Sequence, residues 1–158
     1  MKLIISIMIM MFAFIQTAKA DSFTCLVEAI YHEARSQSLI GMLAVANVIL
    51  TRTYSKKFPD TICGVVHQGR YWKNSPVRDK CQFSYWCDGK PEKYNDIKSL
   101  TTSINVAELA LKGVVVSKIR EATHYHASYV KPFWASEKNF KFLAQIEDHL
   151  FYVDKKNK

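Results

Sequence analysis

The apolar positions of this chain fall into three long helical stretches separated by irregular, aromatic-rich segments. From Phe23 to Arg35, the residues Phe23, Leu26, Val27, Ile30, Tyr31 and Ala34 recur every three or four positions, which predicts an amphipathic helix. Asp21 or Ser22 can cap its start, and Ser36 to Ser38 weakens its end. Glu28, His32 and Arg35 share the polar side, whereas Glu33 lies about 20° around the helix from Leu26, on the edge of the apolar stripe. The next stretch, Leu39 to Thr53, is apolar almost all round, which predicts a central core helix whose residues are packing. A third long helix is expected from Ile97 to Lys112, with Gly113 as its C-terminal cap.

Elsewhere the period is less regular. Thr61 to His67 predicts a short helix after the Pro59-Asp60 start signal. Between Gln68 and Asn95 the pattern breaks into turn residues and aromatics, within which Gln82 to Trp86 is a short strand candidate. Ala122 to Ala127 reads as a strand, followed by two short segments ending at Phe151-Tyr152. The expected class is α+β, mainly helical with a small sheet, in one domain, because Pro and Gly never cluster into a linker.

The first twenty residues change the picture. Lys2, the apolar run from Leu3 to Ile15 and Ala18-Lys19-Ala20 have the order of a secretory signal with an A-x-A cleavage site. The run is shorter than the roughly 20 residues that span a bilayer. Residues 1–20 are therefore expected to be removed, leaving residues 21–158 as a secreted or periplasmic chain. Cleavage would take Lys2 and Lys19 from a formal charge of +8. The remaining positive charge favours anionic cell-wall polymers or membrane surfaces, and an exported chain is not expected to bind nucleic acid. Cys25, Cys63, Cys81 and Cys87, an even number in an exported domain, imply two disulfides with three possible pairings. The expected pairs are Cys81 with Cys87, closing a local loop, and Cys25 with Cys63.

Candidate chemistry starts with Glu33. Partial burial and a place in the last helical turn, where the helix dipole disfavours negative charge, both raise a carboxyl pKa. Such a group can stay protonated near neutral pH and act as a general acid; the competing role is a rim glutamate paired with a cation. His32 is expected to form a solvated pair with Glu28, and Arg35 a similar pair or an anion contact. The aromatics of the second half either stack sugar rings or fill a helix-poor core, with Tyr125 and Trp134 set among polar neighbours. His124 and His126 have the spacing of a metal pair on one strand face, with His32, His67 or His149 as a possible third ligand for a zinc amidase. Cys81 with one of these histidines would suit a cysteine peptidase, unless disulfide formation removes the thiol. No G-x-S-x-G elbow occurs.

Five blocks carry a resemblance. "AIYHEARSQSLIGMLAVANVILTR", "FPDTICGVVHQ", "CQFSYWCDGK", "ATHYHASYVKPFWA" and the closing "IEDHLFY" resemble, in order, the spore-cortex-lytic type of cell wall hydrolases, the SleB-like family. The resemblance implies a lysozyme-like transglycosylase fold, cleavage of peptidoglycan glycan strands without a cofactor or metal, and Glu33 as the essential acid. It also implies a cleft lined by Tyr31, Gln82, Tyr125, His126 and Trp134. Two departures stand out: Ser36-Gln37 where Gly-Glu is common, and Glu147-Asp148 in place of a glycine. The leading expectation is a monomeric lytic transglycosylase. A zinc amidase or cysteine peptidase acting on peptide stems, and a non-enzymatic wall-binding protein, are the alternatives.

Overall fold

The computed structural model describes residues 21–157, so the signal expected at 1–20 lies outside the described residues. The chain folds as helices α1 (21–34), α2 (Leu39–Thr53) and α3 (Ile62–Val66), an antiparallel hairpin β1 (Gly69–Trp72) and β2 (Ser75–Cys81), then α4 (Ile97–Leu111). It ends in an antiparallel three-stranded sheet of β3 (His124–Ala127), β4 (Phe140–Ile146) and β5 (His149–Asp154), with β5 in the middle. The α+β class, mainly helical with a small sheet, is as expected. Among the described residues no helix is long and apolar enough to cross a membrane.

The helix starts follow from local hydrogen bonding. Ser38, Thr61 and Asp96 cap α2, α3 and α4 by accepting the backbone N–H of Gly41, Gly64 and Ser99, which satisfies donors the first turn leaves free. After α4 the chain turns away through Gly113, whose φ of +88° only glycine adopts cheaply.

Helix α2 lacks a polar face because two cores flank it. Met42, Val45 and Ile49 pack with Leu26 and Ile30 of α1, Val65 and Val66 of α3, and Val106 of α4. Ala44 and Val48 pack instead with Ile119, Ala122 and Phe151 beneath the sheet. Burial of these aliphatics supplies most of the stabilisation, at roughly 1.5–3 kcal/mol for each large side chain. Two details correct the all-round reading of α2. Leu39 and Ile40 at its start are exposed, and Arg52 near its end is buried.

Both expected disulfides are present. Cys25–Cys63 ties α1 to α3, and Cys81–Cys87 closes a tight loop. The second bridge explains why Gln82–Trp86 is not a strand. Six extended residues would separate the cysteines by about 20 Å, but their Cα atoms are 6.1 Å apart. The segment curls into a 3-10 turn, Ser84–Cys87, and the strand lies earlier, in a hairpin whose Lys73-Asn74 turn has positive φ at both residues. Because Cys25–Cys63 closes 38 residues and Cys81–Cys87 only 6, their removal is expected to cost about 4 and about 2 kcal/mol respectively. Urea unfolding of the two double-serine variants checks this, and a larger loss from the short loop would contradict it.

Candidate active site

Glu33, in the last turn of α1, opens into a cleft of about 530 Å³ floored by Arg52 of α2 and walled by β3 and the 82–84 segment. The Tyr125 hydroxyl donates to Glu33 Oε2 at 3.0 Å. Burial pushes the Glu33 carboxyl above its ordinary pKa, while the Tyr125 hydrogen bond and the Arg52 charge pull it down, and burial wins. Burial, with the neighbouring Glu33, holds the Tyr125 phenol protonated, so the hydroxyl remains the donor. The site therefore presents an acid that holds its proton to higher pH than an ordinary glutamate, next to a fixed positive charge that favours the carboxylate once the proton has gone.

Arg52 is the residue the sequence reading passed over as packing. It is 5% exposed and sits beside the rings of Phe58 and Phe83, at 4.9 and 5.5 Å. Its Nε donates to the Thr123 carbonyl at 2.7 Å, which fastens α2 to the residue before β3. The available signal was a lone charge in an otherwise uncharged helix.

Gln82, Tyr125, His126 and Trp134 all line the cleft that holds Glu33. Tyr31 does not. It is fully buried, and its hydroxyl accepts the Asp96 N–H at 3.0 Å, so it fixes the start of α4 and cannot reach a substrate. Its place on the apolar stripe of α1 carried that outcome.

The histidines differ from the expectations too. His32 is not in a solvated pair with Glu28. Its ring stacks on Tyr85 at 4.6 Å, because the segment around residues 84–95 covers the polar side of α1. Arg35 is exposed, with its guanidinium 5.2 Å from the Tyr31 ring. His126 uses both ring nitrogens: Nδ1 donates to the Ala127 carbonyl at 2.9 Å, so Nε2 is the acceptor for the Tyr152 hydroxyl at 3.2 Å. It offers its ring to the cleft, edge-on to Trp134. Burial and the Arg52 charge push His124 down to about 4, so it is neutral at ordinary pH. Among the described residues no three His, Cys, Asp or Glu side chains converge as a metal site would require, so the His124–His126 pair has no third ligand beside it. Cys81 is bonded to Cys87, which removes the nucleophile of the cysteine peptidase reading.

The sequence marks His149 only as a possible third metal ligand. It lies on the cleft wall, 8% exposed and edge-on to Tyr125. Two further acids within the matched sequence blocks, Asp88 and Asp148, do not line this cleft. Asp88 accepts the Lys90 N–H at 2.8 Å, and Asp148 pairs with Gln37 at 3.2 Å. A groove of similar size, about 580 Å³, runs past Tyr54 and Arg120, but of its acids Asp154 is paired with Lys57 and Glu121 is exposed. The acid chemistry points to the Glu33 cleft.

Comparisons with known proteins bear on the fold and the family. Spore cortex-lytic enzymes match short stretches: 46% identity over 41 residues in Halalkalibacterium halodurans, 26% of this chain and 12% of that protein. In Oceanobacillus iheyensis the figure is 50% over 42 residues, 27% of this chain and 15% of that protein. The matched stretch thus spans only a small part of the length of these curated relatives. The fold is similar to the catalytic domain of the germination-specific lytic transglycosylase SleB from Bacillus anthracis, with a TM-score of 0.62 and 23% identity over 82% of this chain and 92% of that one. The catalytic domain of the Bacillus cereus SleB protein gives a TM-score of 0.57 and 21% identity over 84% of this chain and 89% of that one. The Cell Wall Hydrolase family model matches residues 36–152, beginning three residues after Glu33, and the chain belongs to that family.

Proposed function

We propose that the protein is a peptidoglycan lytic transglycosylase, cutting between N-acetylmuramic acid and N-acetylglucosamine with Glu33 as acid and then base. One observation carries the reading: Glu33 is the only carboxylate among the described residues lining the cleft. Hydrolysis of a glycoside ordinarily needs two carboxyl groups, one as acid and one to activate water or form a covalent intermediate. With one, Glu33 protonates the leaving oxygen. The resulting carboxylate, stabilised by Tyr125 and Arg52, takes the proton of the sugar's own 6-hydroxyl. That oxygen closes on the anomeric carbon, giving a 1,6-anhydro end without consuming water.

Trp134 and the ring of His126 offer apolar faces for sugar rings, and Gln82, exposed at the rim, offers an amide for their hydroxyls. In this reading residues 1–20 direct export and are removed. Residues 21–158 act as one monomeric catalytic domain outside the cytoplasm, and the surplus of Lys and Arg favours the anionic wall.

Digestion of purified walls in heavy-oxygen water tests the chemistry. The released muropeptides are expected to be unlabelled, non-reducing and lighter by one water than their hydrolysed counterparts. Labelled, reducing ends would mean that water is the nucleophile, and the acid activating it would then have to be found outside the described cleft lining.

A further inference from the structure

A second recess of about 550 Å³ adjoins the catalytic cleft, and His32 and Ser84 border both. It lies between the polar side of α1 and the 84–95 segment, and its lining differs from the cleft in kind. Charged side chains dominate: Arg35, Asp88, Lys90, Glu92 and Lys93. Two of these are committed to each other, because Asp88 holds the backbone N–H of Lys90 at 2.8 Å and its Nζ at 3.8 Å. Arg35, Glu92 and Lys93 are exposed and make no ion pair with a described residue. At the back stands Tyr85, 9% exposed, whose hydroxyl has no hydrogen-bond partner, and His32 Nε2 beside it also has none. A recess with two cations and one carboxylate that are free of ion pairs to described residues suits an elongated ligand bearing mostly carboxylates and an occasional amine.

We propose that this recess binds the peptide stem of the strand being cut, so that the enzyme selects muramic acid residues that carry a stem over bare glycan. The inference rests on the glycan-cleaving reading. A muramic acid seated beside Glu33 projects its lactyl ether sideways from the sugar, and the recess begins at the cleft's own border residues. Arg35 and Lys93 meet stem carboxylates, and Glu92 meets the ammonium of a diamino acid. The contacts are solvent-exposed, so each is weak and screened by salt.

The test compares KM for soluble glycan strands bearing stems with KM for the same strands stripped by an amidase. At low ionic strength, stem-bearing strands are expected to show a KM on the order of fivefold lower. In R35A/K93A this ratio is expected to fall to about one, and in the unaltered protein added salt is expected to do the same. The second measurement needs no mutation, so it stands even if the variant folds poorly. Equal KM for both strands in the unaltered protein overturns the stem site and leaves the lytic reading standing. Cleavage of neither strand overturns the lytic reading, and the stem site with it.

Discussion

Glu33→Gln is expected to lose roughly a hundredfold to ten-thousandfold of the rate, the share that a positioned acid supplies. The amide keeps the shape of the carboxyl and can still accept the Tyr125 hydroxyl, which donates at 3.0 Å. It cannot donate a proton to a leaving oxygen or take one back. Stability is expected to hold or rise. A carboxyl raised in the folded state contributes its stability fully below the unfolded pKa and loses it as pH rises through the folded value. Above that value the native protein carries a desolvated carboxylate whose cost the glutamine avoids. The stability difference between the two proteins should therefore grow in favour of the variant as pH rises. Muropeptide release, with thermal unfolding at several pH values, measures both. A variant that unfolds readily, while its folded fraction keeps full activity, would make Glu33 a structural partner of Arg52 and not the acid.

The position of Glu33 was legible because it depends on one helix. Its angle from Leu26 follows from the helical period alone, and the structure agrees that it is partly desolvated. The same period misjudged its neighbours, since it reports which residues leave the core of one helix but not which later segment covers them. His32 is on the polar side of α1, yet residues from 84 onward return to cover it. The β1–β2 hairpin escaped notice for a related reason. Its residues are nearly all exposed, so no alternation of apolar and polar positions marked it. Arg52 was hidden by averaging, one charge in a helix most of whose residues serve two cores.

The two departures from the family pattern explain each other once folded. Ser36-Gln37 and Glu147-Asp148 are far apart in sequence but meet in space. Glu147 Oε2 accepts the Ser38 N–H at 2.8 Å, and Gln37 Nε2 donates to Asp148 Oδ2 at 3.2 Å. Glu147 has a φ of +49°, a conformation that costs an ordinary residue about 1–2 kcal/mol and that glycine adopts freely. Its bond to Ser38 offsets that cost and secures the loop that follows Glu33. No single-sequence pattern could show this, because each half is meaningful only beside the other.

Replacing Arg52 is expected to have the next largest effect, on both activity and stability. In Arg52→Met the Thr123 carbonyl, which now accepts the guanidinium at 2.7 Å, is left buried without its donor. That costs about 1–3 kcal/mol, partly offset by removing a buried charge that makes no salt bridge to a described residue. Activity should fall further than stability explains. The step in which Glu33 is a carboxylate loses its nearby cation, and one pKa unit of lost stabilisation corresponds to about a tenfold fall in rate. The sign is testable separately. Arg52 lowers the proton affinity of Glu33, so removing it should carry the alkaline limb of kcat/KM to higher pH. His124, whose proton affinity Arg52 also suppresses, would move only the acid limb, so the two effects are distinguishable. Arg52→Lys, which keeps a charge but loses the planar fork, is expected to lie between. If Arg52→Met loses stability while its alkaline limb stays in place, Arg52 is only the strut between α2 and β3, and burial with the Tyr125 hydrogen bond tunes the acid.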